Sequence, residues 1–138
     1  MPTNYLRTDQ DVSKIFLGDT KTDSESYVNN SGYDPITLAA GTVMGRIAAT
    51  GVLVPMLLGA NNGSQYPIGI VMETTELDAG ETRQLTIAVG GEVAESKLIF
   101  WDGRLTVDSV IEQQRIKDRL QYAGFTLRVS TEMTGYDN

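Results

Sequence analysis

The sequence contains neither cysteine nor histidine among its 138 residues. Without cysteine the chain has no disulfide, no thiolate nucleophile and no soft metal site. Without histidine it also lacks the commonest general base, the usual partner of a catalytic serine and the commonest zinc ligand. These two absences remove most routes to catalysis and to a transition-metal centre, and they do not indicate a cellular compartment.

Long apolar stretches and an excess of positive charge are missing too. The longest apolar run, Val52 to Leu58, is interrupted by Pro55, so no segment is predicted to span a membrane. The first eleven residues do not have the pattern of a secretory signal peptide. Because 18 acidic residues outnumber 11 basic ones and the formal charge is -7, the chain as a whole repels a phosphate backbone, and direct nucleic-acid binding is not predicted.

The residues that are present indicate a β-rich globular protein. Hydrophobic content is 41%, and 14 glycines indicate many turns and therefore short strands. A chain of this length buries roughly two-thirds of its unfolded surface in one core. The predicted fold class is mainly β with one short helix, a compact domain preceded by an extended N-terminal arm.

Two regions are predicted, an arm at residues 1–34 and a β-rich domain at residues 35–138. The arm has small apolar clusters separated by polar spacers, namely Tyr5-Leu6, Ile15-Phe16-Leu17 and Tyr27-Val28. Such spacing does not offset a backbone entropy cost of roughly 1 to 2 kcal/mol per residue unless another surface is supplied. Alternatively, the last two clusters add edge strands to their own domain.

Strands are predicted throughout the second region. The stretch from Gly41 to Pro55 is predicted to form two short strands hinged at Gly51. Leu85, Ile87 and Val89 share one face of a later strand, and a final strand follows from Phe125. The Gly90-Gly91 pair predicts a hairpin that returns through Glu92 to Glu95. The aromatic cluster from Lys97 to Trp101 is predicted to lie in the core.

One helix is predicted, from about Asp108 to Ala123. Ser109 and Glu112 have the spacing of a capping box, and Gly124 stands where a left-handed C-terminal cap is expected. Its apolar residues lie on two sides: Val110 and Ile111 on one, Ile116, Leu120 and Ala123 on the other. Either the helix starts late, or it is covered both by its own sheet and by a neighbouring subunit, which makes Ile116 and Leu120 candidate interface residues.

No catalytic, cofactor-binding or metal-binding motif is found. Glu73 with Glu76, like Glu92 with Glu95, has a spacing that places the two carboxylates on opposite faces of a strand, which is unsuited to joint acid–base catalysis. The glycine-rich stretches lack the Lys-Ser/Thr of a phosphate loop. The chain is therefore predicted not to be an enzyme and to need no cofactor.

An ordered set of short phrases resembles the lambda-type bacteriophage head decoration protein family. The phrases are Gly41-Thr42-Val43-Met44-Gly45-Arg46-Ile47, Ala49-Thr50-Gly51-Val52-Leu53-Val54-Pro55, Ile68-Gly69-Ile70-Val71, Val89-Gly90-Gly91-Glu92-Val93, and a helix ending in Leu120-x-x-x-Gly124-Phe125. The resemblance covers about residues 40–129. The chain departs from the shorter members in its long segment before Gly41 and its polar tail after Val129.

The resemblance implies a structural virion protein, made in the host bacterial cytoplasm. Such a protein binds the outside of the expanded icosahedral head as a homotrimer, at local three-fold axes, and stabilises it. Its segment before the domain pairs as a strand with the major capsid protein, and strand addition suits an arm with few apolar anchors. The expected anchors are Tyr5, Leu6, Ile15, Phe16, Leu17, Tyr27 and Val28.

The alternative is a non-catalytic β-rich binding module. It would recognise a ligand such as a glycan through Trp101 and the Asn61-Asn62 loop.

Overall fold

The computed structural model describes residues 15–30, 32–57, 60–101, 103 and 105–129. Strands make up 47% of the structure and helix 10%, which confirms the prediction of a mainly β fold with one short helix. The strands are β1 (Phe16–Val28), β2 (Ile36–Leu38), β3 (Val43–Arg46), β4 (Leu53–Pro55), β5 (Gly69–Val71), β6 (Thr75–Leu77), β7 (Thr82–Ala94), β8 (Val110–Ile111), β9 (Gln114–Arg115) and β10 (Phe125–Arg128). The α-helix is α1 (Ile116–Ala123), and a 3₁₀ helix spans Glu95–Lys97.

Among the described residues, strand β7 pairs with three other strands of the main sheet, β1, β5 and β10. The order of the sheet is β1-β7-β5-β3-β4. These neighbours are antiparallel, and β10 adds to the last residues of β7 in parallel. Leu85 and Ile87 are buried while Gln84 and Thr86 are exposed, so the predicted alternation is present. Two ribbons complete the fold, β2 with β6 and β8 with β9.

Strand β1 belongs to this sheet and pairs with β7 over most of its length. At its start the amide of Ala94 donates to the carbonyl of Ile15 (2.9 Å), and the side chains of Ile15 and Tyr27 are buried. Residues 15–28 therefore match the second interpretation, edge strands of their own domain. The sparse apolar residues suffice because β7 supplies a complete backbone partner.

The predicted hairpin at Gly90-Gly91 is wrong, since β7 continues straight through both glycines. β1 and β10 flank this part of β7 and hold it extended. The glycines instead lie opposite an irregular part of β1 and leave room for it. There Asp19 has a positive φ of 51° and the register shifts between Gly18 and Lys21. A Cβ at Gly91 would lie 2.8 Å from the carbonyl oxygen of Asp19, so only glycine fits there.

The core lies on both faces of the main sheet. Neighbouring residues such as Val43 and Met44 are both fully buried but belong to different clusters, because successive strand residues point to opposite faces. One cluster includes residues of α1 and β10: Val43, Met56, Ile70, Ala88, Val93, Leu105, Ile111, Ile116, Leu120 and Phe125. The other includes residues of the β2–β6 ribbon: Tyr27, Leu38, Met44, Leu53, Val71, Leu77, Leu85 and Ile87.

The helix begins at Ile116 and not at Asp108, so the late-start alternative is the one observed. Glu112 and Gln113 have positive φ values of 53° and 70° and turn the chain between β8 and β9. The capping box is absent, because the Ser109 hydroxyl accepts from the Thr106 amide (2.9 Å) and no side chain caps the helix. The predicted cap at Gly124 is confirmed by its left-handed conformation, φ 118°.

Candidate functional site

The first and last described residues, Ile15 and Val129, lie at the same end of the main sheet, here called the terminal end. Phe16 and Leu127 lie opposite Val93 from its two sides, next to Ile15 and Val129. Because neighbouring strands are about 4.8 Å apart, the flanks start about 10 Å from each other. Residues 1–14 and residues 130–138 are therefore attached at the same place.

An apolar groove of about 450 Å³ lies at the terminal end and is called the terminal groove. Its apolar wall residues include buried side chains and the unusually exposed Ile99 and Val129, at 41% and 48%. The apolar members are Leu98, Ile99, Phe100, Leu105, Val107 and Val129. Glu95, Ser96 and Thr106 add polar groups to the same lining.

A second groove, of about 280 Å³, contains Trp101 and lies against β4 and the end of β1. Trp101 is 46% exposed, so the prediction that it lies in the core is wrong. Among the described residues next to Trp101, Ile99 forms an isolated bridge with Thr42 outside the named strands. This Trp101 groove is also lined by Tyr27, Val28, Ile36, Val52 and Leu53.

The structure does not bring the Asn61-Asn62 loop to Trp101. The residues that line the Trp101 groove include Asn29 and Asn30 instead. The amide of Asn29 is engaged, because it donates to the carbonyls of Asp34 (2.9 Å) and Leu77 (3.2 Å). The glycan-binding combination predicted from the sequence is therefore not assembled here.

An ion pair joins strand β1 to strand β3 of the main sheet. Arg46 donates to the two carboxylate oxygens of Glu25 at 2.9 Å and 3.3 Å, and also to the carbonyl of Gly51 at 2.8 Å. A bidentate pair fixes the relative position of the two groups better than a single contact does. The ion pair therefore fixes β1 relative to β3 and, through Gly51, relative to the connection that leads to β4.

The predicted arm anchors lie in different places. Tyr5 and Leu6 are outside the described residues. Ile15 and Tyr27 are buried, and burial raises the pKa of the Tyr27 hydroxyl. The three remaining anchors, Phe16, Leu17 and Val28, are half-buried in β1. Five of the seven anchors are thus built into the domain, and a role of these five in binding a second protein is not supported by their position.

Ile116 and Leu120, the predicted interface residues, are both fully buried. They pack in the same cluster as Val43 and Phe125 of their own chain. The opposite side of α1 exposes Tyr122 at 93%. Their burial therefore explains the apolar pattern of the helix without a neighbouring subunit, and a subunit contact through these two side chains is not supported.

A polar cluster around Glu112 escaped the sequence analysis. The Tyr66 hydroxyl donates to Glu112 (2.7 Å), as does the Gln65 amide (3.3 Å). The Arg119 guanidinium lies 4.5 Å from the centre of the Tyr66 ring and donates to the Ile111 carbonyl (2.8 Å). The hydrogen bond from Tyr66 is the main cause that holds the pKa of Glu112 below its usual value. No local signal indicates this cluster, since the partners are far apart in sequence.

Two of the four carboxylates that were considered for catalysis, Glu92 and Glu95, are engaged in ion pairs. Glu92 pairs with Arg128 at 3.0 Å and Glu95 with Lys117 at 3.7 Å. Within the described part of the chain, no three acidic side chains are grouped as a metal site would require. The same residues include no helix with the length and apolarity needed to cross a membrane.

Comparison with known proteins identifies a family that this chain resembles over most of its length. A family model described as Bacteriophage lambda head decoration protein D matches residues 19–115, which is more than half of the sequence. The match starts inside β1, so it includes part of the segment that the sequence analysis assigned to the arm. A search of curated proteins found no match.

Proposed function

Because the chain belongs to the family of bacteriophage lambda head decoration protein D, we propose that it binds the outside of the expanded head as a homotrimer and stabilises it there. It is a structural protein of the phage head by family. The finer proposal is that the trimer sits at local three-fold axes, bridges neighbouring copies of the major capsid protein, is made in the host cytoplasm and has no catalytic role.

The proposed stabilisation is a linkage effect. A protein that binds only the expanded shell favours that state by RT ln(1 + [L]/Kd), about 2.7 kcal/mol per site at a free concentration 100-fold above Kd. Three copies in one trimer present three binding segments at once. The second and third contacts form at a high effective concentration, so the trimer binds more tightly than one copy.

The position of Ile15 at the terminal end is the observation that decides which segment we assign to capsid binding. Since β1 starts there and is fixed to β7, we assign capsid binding to residues 1–14 alone, with Tyr5 and Leu6 as its anchors. Ile15 and Phe16 act as the attachment point of this segment. Two adjacent apolar side chains suit a segment that adds to the edge of a capsid sheet.

Deleting residues 1–14 tests this assignment. The deleted protein should keep its circular dichroism spectrum and trimeric mass but should not co-sediment with expanded heads. A Tyr5→Ala/Leu6→Ala variant should behave in the same way, whereas Thr8→Ala/Gln10→Ala serves as a matched control and should bind. Wild-type co-sedimentation of the deletion would disprove the assignment.

A non-catalytic binding module remains the second candidate, because Trp101 is exposed in a groove. Trp101 is the single tryptophan of the chain, so its fluorescence reports directly on that groove. A monomeric mass in light scattering, together with a saturable fluorescence change on titration with oligosaccharides, would favour this candidate over the capsid protein.

A further inference from the structure

The Asn61-Asn62 loop, residues 60–66 between β4 and β5, contains the dipeptide Asn62-Gly63. Asparagine is a thermolabile residue, and a following glycine offers no side chain to hinder ring closure, so this dipeptide favours spontaneous deamidation. Asn62 is also exposed, so water and hydroxide reach it. The chemistry of the loop therefore includes a possible covalent modification.

Deamidation at this dipeptide needs no reagent other than water. The backbone nitrogen of Gly63 loses its proton to solvent and bonds to the side-chain Cγ of Asn62. The bond from Cγ to Nδ2 breaks, and the departing nitrogen takes up a proton and leaves as ammonia. Water then opens the resulting five-membered ring and gives aspartate or isoaspartate.

Hydrogen bonds hold both reacting groups in the folded protein. The amide of Gly63 donates to Oε1 of Gln65 (2.9 Å), and the carbonyl of Asn62 accepts from the amide of Ala48 (2.7 Å). This amide and this carbonyl belong to one planar peptide group, which is therefore fixed from two sides. The side-chain oxygen of Asn62 accepts from the amide (3.1 Å) and the hydroxyl (2.6 Å) of Ser64.

These contacts affect the two reacting groups differently. Two donors on the carboxamide oxygen of Asn62 stabilise the negative charge that develops there during attack, so they favour the reaction. The hydrogen bond of the Gly63 amide opposes it, because the nitrogen has to lose its proton before it attacks. Base-catalysed hydrogen exchange begins with the same proton loss, and a hydrogen-bonded amide exchanges only after local opening. The restraint therefore lies in the contact between Gly63 and Gln65.

Gln65 is itself held in place from a distant part of the chain. It is buried, and its Nε2 donates to Glu112 in the turn between β8 and β9 (3.3 Å). This contact orients the side-chain amide with its nitrogen towards Glu112 and its oxygen towards Gly63. The loop also packs directly on β3, since a Cβ at Gly45 would lie 2.5 Å from the carbonyl oxygen of Ser64.

We propose that Asn62 is a deamidation site that the fold keeps closed, with Gln65, oriented by Glu112, as the residue that restrains the attacking nitrogen. Opening of the loop exposes the site to reaction. Isoaspartate would add a carbon to the main chain of a loop that has no spare room against Gly45, so the modified loop should not return to β3. The proposal does not depend on capsid binding.

Peptide mapping by mass spectrometry after incubation in mildly alkaline buffer tests the proposal. Asn62 of the wild type should deamidate at least about tenfold more slowly in buffer than in concentrated urea, where the loop is open. Gln65→Ala should deamidate at least about tenfold faster than the wild type in buffer. Gln84→Ala, at an exposed position of β7, is the matched control and should keep the wild-type rate.

A second variant leaves the whole loop unchanged. In Glu112→Gln the side-chain oxygen can still accept from Tyr66, but the new amide nitrogen faces that of Gln65 and cannot accept from it. Asn62 should therefore deamidate at least about threefold faster than in the wild type. If Gln65→Ala does not fold, this variant decides the question, and a wild-type rate in it would contradict the proposal.

Leu120→Ala separates opening of the loop from unfolding of the whole domain. Its buried side chain lies in the core and has no contact in the loop's hydrogen-bond network, so this variant should deamidate at the wild-type rate while it stays folded by circular dichroism. Acceleration as large as that of Gln65→Ala would assign the reaction to global unfolding and overturn the role of Gln65. Equal wild-type rates in buffer and urea, or a wild-type rate in folded Gln65→Ala, would also overturn the proposal.

Discussion

Arg46 of β3 and Glu25 of β1 are connected by two hydrogen bonds, at 2.9 Å and 3.3 Å. Both side chains are about one-fifth to one-third exposed, so solvent screens their attraction only in part. The pair links two strands that are not neighbours in the sheet, because β7 and β5 lie between β1 and β3 in the strand order.

Removing this ion pair should weaken the domain modestly. We expect Arg46→Ala to lower the free energy of unfolding by about 1 kcal/mol, since it removes both the ion pair and the bond to Gly51. A double-mutant cycle with Glu25→Ala, followed by urea denaturation, should give a coupling of about 0.5 to 1 kcal/mol that decreases at high salt. Zero coupling would mean that the pair does not help to hold β1 against β3.

The two possible N-terminal truncations should differ sharply. Deleting residues 1–14 leaves β1 intact, so the thermal midpoint should stay close to that of the wild type. Deleting residues 1–34 removes β1 and Tyr27 from the sheet, so this protein should unfold or aggregate. Circular dichroism melting compares the two, and a stable fold after the longer deletion would show that β1 is dispensable.

Gly91→Ala should destabilise the fold by roughly 1 to 3 kcal/mol, because it strains a residue at positive φ and collides with backbone. Gly91 has φ 118°, and its added Cβ would meet Thr20 Cα at 2.8 Å. Gly18→Ala is a suitable control, since a Cβ there meets nothing within 4 Å. Urea denaturation of both variants should separate them, and equal stabilities would argue against the close approach of β1 to β7.

Leu120→Ala should act on the fold and not specifically on subunit assembly. The side chain is fully buried in the core of its own subunit, so its loss should cost about 2 to 5 kcal/mol. Tyr122→Ser on the exposed side of α1 is the control for helix effects. Denaturation should show the loss at every protein concentration, whereas an interface residue would give a loss that grows on dilution.

The contribution of Glu112 to the free energy of unfolding should disappear at acidic pH. Hydrogen bonding by Tyr66 holds the pKa of Glu112 lower in the folded protein than in the unfolded chain, so its charged form stabilises the fold above the unfolded pKa. That stability is lost as pH falls through the folded pKa. The difference in unfolding free energy between the wild type and Glu112→Gln should therefore be largest near neutral pH and should shrink on acidification. A difference that does not change with pH would exclude this origin.

Local features of the fold could be predicted from the sequence. The alternation of Leu85 and Ile87 identified the central strand, and Gly124 marked the end of the helix, because both signals arise from residues a few positions apart. The mainly β class could likewise be predicted from short alternating segments separated by glycine-rich turns.

Non-local features could not be predicted from these patterns. The polar strand β1 is stabilised by main-chain pairing with β7, which side-chain hydrophobicity does not reveal. Gly90-Gly91 has the composition of a hairpin turn, but strands on both sides keep it extended. The contact of Glu112 with Tyr66 joins residues 46 positions apart. In the sequence, the spacing of Glu112 from Ser109 instead suggests a helix cap.

The position of Ile15 and Val129 on either side of β7 also bears on how the chain can be reconnected. A gap of about 10 Å is spanned by a linker of roughly four residues, so Val129 could be joined to Ile15 without disturbing β1 or β10. New ends could then be opened at the exposed turn Asp78-Ala79-Gly80. The domain is therefore a natural candidate for circular permutation, in which attached peptides would leave from a turn remote from the terminal groove.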